Sequence, residues 1–315
     1  MWKLRDSTMM AGVSNGMVEV LEGREVPLGG LRALPVLRTL PQRARSLVAA
    51  WCFVDSYGPT NAAMDVPPHP HTGLQTVSWL YAGEIEHRDS VGSRATIRPG
   101  QVNLMTAGGG IQHSEMSNGG GSLHGVQLWI ALPDRARGIA PSFEHFVPDP
   151  VRRDDATLRV FVGDLAGVSS PVTTHTRLVG AQVDVPAGGA VTLPIDPAFE
   201  HGLVVDAGAP LLAGVPIPAG RLGVLPAGPT GLRIEARDEP LRALLIGGEP
   251  LREPIVMWWN FVGRSHNEIV AFRERWQADV IESGSASGPF GSITDAPGRA
   301  LAAPELPNVR LRPRD

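Results

Sequence analysis

Two pairs of side chains could carry chemistry in this 315-residue chain: His69 with His71, and His113 with Glu115. Each pair is spaced i, i+2. In an extended strand successive side chains alternate faces, so both members of a pair point the same way. Two such strands facing each other across a small barrel would bring three imidazoles and one carboxylate to a single point. That donor set suits a divalent transition metal, because imidazole fits Fe, Zn, Cu or Ni and a carboxylate adds charge and hardness. Four donors leave positions open on an ion that takes five or six ligands, and open positions are where a substrate can bind. One His-x-His is commonplace, and a lone strand histidine is more often a satisfied polar residue than a ligand. Here the two pairs coincide, and a Pro99-Gly100 turn and the glycine run Gly108 to Gly110 precede the second. A metal is the better reading.

The elements that must hold these residues are strands. Gly and Pro number 37 and 29, and they fall between short apolar runs, as in an all-β protein with many turns. Asp55 to Pro68 is a loop that delivers the chain to His69. Val77, Trp79 and Tyr81 alternate with Thr76, Ser78 and Leu80 in a strand leading away from the site. Pro99-Gly100 carries the residues of a type II turn, and a strand over 101–106 follows. Val126 to Leu132 closes a first barrel, metal-binding, over residues 1–134. Residues 135–157 read as a linker. A second barrel over 158–282 repeats the rhythm, with similar turns at Pro186-Ala187-Gly188, Pro218-Ala219-Gly220 and Pro226-Ala227-Gly228. These fit a type I preference, Pro at i+1 and Gly at i+3. This half has no His-x-His, so His175, His201 and His266 read as surface or satisfied residues and the barrel as metal-free. Ser265 to Glu268 forms a capping box ahead of a helix whose apolar face is Ile269, Phe272 and Trp276. Residues 283–315 form an extended tail in which Leu301, Leu306 and Leu311 could dock.

From His69 to Met116 the chain resembles the pirin family of the cupin superfamily. The resemblance rests on His69-Pro70-His71, on Gly83-Glu84-Ile85-Glu86-His87-Arg88-Asp89-Ser90, and on Met105-Thr106-Ala107-Gly108 through Glu115-Met116. Leu245 to Leu251 and Pro254 to Phe261 resemble the C-terminal domain of the same family, so most of residues 45–276 is covered. The fold implied is two jelly-roll cupin β-barrels packed as a bicupin, with a short C-terminal helix and tail. The family's iron ligands fall on His69, His71, His113 and Glu115. Gln75 stands where many relatives have Glu, a ligand position in other cupins, and Thr72 where relatives often have Arg. The resemblance implies Fe(II), with Mn, Ni, Cu, Co or Zn within reach of the donor set. It also implies either of two functions. One is a flavonol dioxygenase that opens quercetin with O2, with a small aromatic oxygenated substrate and Glu115 as proton acceptor. The other is a metal and redox sensor that binds a protein partner without turnover.

Composition narrows the alternatives. A net charge of −4 and a pI near 6.1 give no basic surface for nucleic acid. No run approaches ~18 apolar residues, so no membrane span is expected, and Met1 to Gly16 lacks the apolar core of a signal peptide. The single Cys52 allows no internal disulfide and fits a reducing, cytoplasmic location. Phosphate-loop, dinucleotide and serine-elbow motifs are missing from the sequence. His87 and His124 are candidates to support the ligands or line a pocket, with Gln127 and Trp129 as weaker pocket candidates. Asp89 and Arg98 read as turn and barrel-rim residues.

Overall fold

A computed structural model describes residues 18–28, 34–117, 121–284 and 287–314. The reading of Met1 to Gly16 lies outside the described residues. The first half contains β1 (Glu19–Glu22), β2 (Arg24–Leu28), β3 (Leu34–Leu40), β4 (Trp51–Thr60), β5 (Asp65–His71) and β6 (Leu74–Ala82). It continues through β7 (Ile85–Asp89), β8 (Arg94–Ile97), β9 (Val102–Thr106), β10 (Ile111–Ser117), β11 (Leu123–Ala131) and β12 (Ser142–Phe146). The second half begins with β13 (Val151–Arg153), β14 (Ala156–Leu165), β15 (Val168–Ser169), β16 (Leu178–Val185), β17 (Ala190–Pro194) and β18 (Glu200–Ala207). It ends with β19 (Leu211–Leu212), β20 (Val215–Pro216), β21 (Arg221–Leu225), β22 (Gly231–Glu235), β23 (Leu241–Gly248), β24 (Val256–Trp258) and β25 (Phe261–Gly263). One helix, α1 (His266–Trp276), follows and runs into a π-helical turn over Gln277–Glu282.

Among the described residues the chain is all-β in two similar halves, with one short C-terminal α-helix. Each half pairs a large antiparallel sheet with a small one. In the first the orders are β12-β9-β6-β11-β4-β3-β2 and β5-β10-β7-β8. In the second they are β1-β21-β18-β23-β16-β14-β13 and β17-β22-β19-β20. Strands cross between halves at the ends of the sequence segments. β1 joins the second large sheet through β21, and residues 135–157, expected as a linker, carry β12 into the first large sheet and β13 into the second.

The two large sheets pack back to back, which explains why β6 and β11 are buried on both faces. One face of each, Val77 and Trp79 with Val126 and Leu128, joins Cys52, Val54, Phe161, Leu178, Leu244 and Ile246 in one apolar cluster. Trp79 stacks on Phe161 at 4.7 Å and donates its indole N–H to Gln182 Oε1 at 2.8 Å. Trp51 donates its own to the Gly247 carbonyl at 3.1 Å. A tryptophan this deeply buried costs about 3–5 kcal/mol when cut to alanine, so the two halves stabilise each other strongly. Cys52 lies in this layer, where burial pushes its thiol up to about 12 and leaves it unreactive.

The opposite faces turn into the interior between the large and small sheets of the first half. Leu34, Tyr57, Leu80, Ile85, Ile97 and Leu123 plug one end of it with apolar side chains. The other end is left to polar residues. The interior of the second half is filled by aliphatic residues such as Leu158, Val183, Leu203, Ile234 and Leu245.

Turn chemistry follows the sequence at Pro99-Gly100 but departs from it at all three Pro-Ala-Gly turns. There Gly188 N–H donates to Arg237 C=O, Gly220 N–H to Val205 C=O and Gly228 N–H to Pro197 C=O, each glycine at positive φ. Gln101 N–H donates to Arg98 C=O and Gly100 takes φ +77°, the type II turn expected at Pro99-Gly100. At Pro186-Ala187-Gly188 the expected type I turn is not formed. The hydrogen bond runs from Gly189 N–H to Pro186 C=O with Gly188 at φ +72°, so proline sits at position i and glycine takes the left-handed i+2 place. Ser265 caps α1 as expected, accepting from Glu268 N–H, but the Glu268 carboxylate reaches the Arg264 N–H rather than that of Ser265. The tail docks: Leu306 and Leu311 pack with Trp276 and Phe290, and Leu301 N–H donates to Pro68 C=O. Among the described residues no helix is long and apolar enough to cross a membrane.

Candidate metal centre

The centre lies where the small sheet of the first half faces its large sheet. β10 is the middle strand of the arrangement. On one side it pairs with β5, setting His113 opposite His69 and Ile111 opposite His71; the register then shifts between His113 and Glu115, which falls opposite Val66. Such a bulge bends the strand and re-aims the side chain beyond it. On the other side β10 pairs with β7, setting His113 opposite Asp89 and Glu115 opposite His87. Strand pleat therefore sends His69, His71, His87, Asp89, His113 and Glu115 into one interior.

The ligand atoms of His69, His71 and His113 lie within 4.8 Å of one another, and those of His87, His113 and Glu115 do so as well. Of the four residues read from the sequence, the three histidines thus form one group, and Glu115 joins His113 in a second that also includes His87. All are buried. Ser78 Oγ donates toward Glu115 Oε1 at 3.0 Å and lies 2.9 Å from the Gln127 amide, which holds the carboxylate against the β6–β11 wall.

The hydrogen-bond partners of the imidazoles leave a donor set that could hold an ion. His69 Nδ1 donates to the Pro67 carbonyl at 2.9 Å and His71 Nδ1 to the Asn260 carbonyl at 3.1 Å. A carbonyl only accepts, so both rings keep Nε2 bare. His113 Nδ1 is 3.4 Å from His87 Nδ1, and His87 Nε2 donates to Asp89 Oδ2 at 3.0 Å. With His87 committed in that direction, its Nδ1 accepts from His113 and leaves His113 Nε2 bare too. Yet the Nε2 atoms of His71 and His113 face each other at 3.1 Å. Two lone pairs at that distance repel unless a proton or a cation lies between them. Burial, reinforced by neighbouring imidazoles, holds His71 and His113 well below the ordinary imidazole value, and burial brings His69 down to about 4, so the three rings stay neutral, the form that offers a lone pair to a cation. A cation would suit this place, because imidazole nitrogens are good ligands for divalent transition metals. Burial raises the Glu115 carboxyl, against the opposing pull of His87 and the Ser78 hydrogen bond, and a nearby cation would reverse that by favouring the anion.

Above the imidazoles lies a cavity of about 290 Å³ lined by Arg38, Phe53, Met64, Trp129, Trp259 and Leu301 among others. One wall is a stack. The Arg38 guanidinium sits 4.4 Å over Phe53, Phe53 lies on Trp129 at 4.1 Å, and Trp129 meets His71 edge-on at 5.1 Å. Arg38 is fixed there by a double hydrogen bond to the buried Asp55, both at 2.7 Å. The opposite wall comes from far along the chain. Trp259 and Asn260 form the tip of the β24–β25 hairpin, and Val262 N–H donates to Thr72 C=O to hold it on β5.

The candidates from sequence divide clearly. Gln127 and Trp129 line the cavity. His87 joins the centre, and Asp89, expected only in a turn, does two things: Oδ1 accepts from Val91 and Ser93 N–H while Oδ2 holds His87. Gln75 stands apart, its amide donating to Thr106 and to the Thr173 carbonyl. His124 pairs with Asp206 between the halves, and Arg98 with Glu84 at the surface. His201, expected as surface or satisfied, is buried with Nδ1 unpartnered. Arg38, Phe53, Trp259 and Asn260 carry no signal in the sequence, and Leu301 is marked there only as a residue that could dock, because no local spacing marks a side chain delivered to the cavity from another part of the chain.

Comparison with known proteins agrees with this architecture. The family model for Pirin matches residues 33–130, and that for the Pirin C-terminal cupin domain matches residues 180–281. A Pseudomonas aeruginosa protein whose name proposes quercetin 2,3-dioxygenase activity is 40% identical over 298 residues, 92% of this chain and 91% of its own. A pirin-like protein of Caulobacter vibrioides is 34% identical, across 82% of this chain and 92% of its own. The crystal structure of a quercetin 2,3-dioxygenase from Acinetobacter baumannii superposes with a TM-score of 0.87 at 38% identity, covering 95% of this chain and 98% of that one.

Proposed function

Because this chain belongs to the pirin family, we propose that it holds one divalent transition metal, Fe(II) foremost, on His69, His71, His113 and Glu115, and opens a flavonol such as quercetin with O2. The observation that carries the metal is the convergence of three buried imidazoles, with the Nε2 atoms of His71 and His113 only 3.1 Å apart. Iron(II) held there would bind a chelating oxygenated substrate beside dioxygen and supply electrons to it.

The chain's own residues do the rest. Phe53, Trp129 and Trp259 give flat apolar walls suited to an aromatic ring, and the cavity volume is at the small end for drug-sized ligands. Those walls exclude water from the reacting oxygens. Glu115, kept near the imidazoles by Ser78, is placed to accept the proton of a substrate hydroxyl, and its raised affinity for a proton suits a base. The alternative, a redox sensor that binds a partner protein, calls for a closed mouth; an aromatic-lined cavity favours catalysis.

Two measurements test this reading in turn. Elemental analysis of protein purified without added metal should find one transition-metal ion per chain. The iron-loaded protein should then remove flavonol absorbance in an oxygen-dependent reaction that releases carbon monoxide. Full metal occupancy with no turnover across a flavonol panel would eliminate flavonols as substrates.

A further inference from the structure

Each imidazole that presents one nitrogen to an ion needs a partner for its other nitrogen. His69 and His71 use backbone carbonyls, which can only accept. His113 differs, meeting another imidazole, His87. An imidazole can accept or donate, so it orients His113 only if its own proton is committed elsewhere. Asp89 commits it. Oδ1 of Asp89 is taken by the Val91 and Ser93 amides, which anchor the carboxylate, and Oδ2 accepts the His87 Nε2 proton. The His87 ring is also clamped, stacked on Phe143 at 4.5 Å with planes 21° apart.

Building on the metal centre proposed above, we infer that His87, set by Asp89, is the positioning residue of the site. It accepts the Nδ1 proton of His113 and so aims the Nε2 lone pair at the ion. The charge of Asp89, passed through two hydrogen bonds, makes His113 a stronger donor than the two histidines held by carbonyls. A space-filling role beside Phe143 is the competing account, and an isosteric change separates the two. In Asp89→Asn the amide oxygen can still accept from Val91 and Ser93, but the amide nitrogen then donates to His87 Nε2. His87 is left with its proton on Nδ1, facing the His113 Nδ1 proton.

The test measures cobalt(II) affinity, by competition with a chelator, and the visible spectrum of the bound ion in wild type, Asp89→Asn, His87→Phe and His87→Asn. Asp89→Asn and His87→Phe are expected to melt as the wild type does within a few degrees and to bind cobalt about 10- to 100-fold more weakly. Their spectra should shift. His87→Asn, whose amide oxygen falls near the former Nδ1, should recover most of the affinity. Folded Asp89→Asn and His87→Phe with wild-type affinity and spectrum would overturn the relay alone. A wild-type protein that takes up no cobalt would overturn the relay and the centre together. Neither readout involves turnover, so failure of the dioxygenase reading is scored separately.

Discussion

His71 and His113 approach within 3.1 Å through their Nε2 atoms, while His71 Nδ1 meets the Asn260 carbonyl and His113 Nδ1 faces His87. Either a proton on one ring or a cation can occupy the space between the two nitrogens. Three neutral, buried imidazoles gathered in this way form a donor set suited to a divalent cation.

Removing one side of the contact weakens the donor set. His71→Ala should lower metal affinity by more than the ~10- to 100-fold typical of outer partners, because a ligand itself is lost. Chelator competition on the purified variant checks this. Retention of metal at wild-type affinity would mean the ion sits elsewhere.

The metal-free protein should lose stability as pH falls from 6.5 toward 4. Unfolded imidazole titrates near 6.5, whereas His69 in the fold takes its proton only near 4. Between those values the unfolded chain binds more protons, so stability rises with pH and falls with acid. For His69 alone this is of order 3 kcal/mol, with His71 and His113 shifting in the same direction. Glu115, whose carboxyl is raised, works the other way and offsets part of it. Calorimetric melting of the apo form across that range decides, and a flat or opposite trend would contradict the buried neutral imidazoles.

Arg38→Met leaves the fully buried Asp55 carboxylate unpaired. Breaking a buried pair from one side costs about 3–5 kcal/mol. The loss should shrink in acid, since burial already raises the Asp55 carboxyl and protonation removes the stranded charge. Urea midpoints at two pH values read both effects.

Trp259→Ala should widen the cavity mouth without touching the ion. If the dioxygenase reading is right, KM for a flavonol rises about tenfold or more, in line with the loss of ~1.5–3 kcal/mol of aromatic burial, and metal content stays at wild type. Steady-state kinetics with parallel metal analysis would detect it; an unchanged KM would remove this wall from the substrate site.

The sequence by itself determined the strand class, the turn at Pro99-Gly100, the cap at Ser265 and the two i, i+2 pairs. All are local, set by backbone sterics and by the two-residue repeat of a strand, and they are readable within a few positions. It also offered His87, Gln127 and Trp129 without giving their roles. Tertiary structure decided the rest. The three expected histidines form one group, and beyond the bulge Glu115 joins His113 in a second that also includes His87. Asn260, 189 positions from His71, chooses its tautomer, and a hairpin tip and the tail build the far wall of the cavity. Those contacts depend on how two sheets pack and where a distant segment lands. Hydrogen-bond direction and lone-pair placement are properties of such meetings, and no spacing along the chain encodes them.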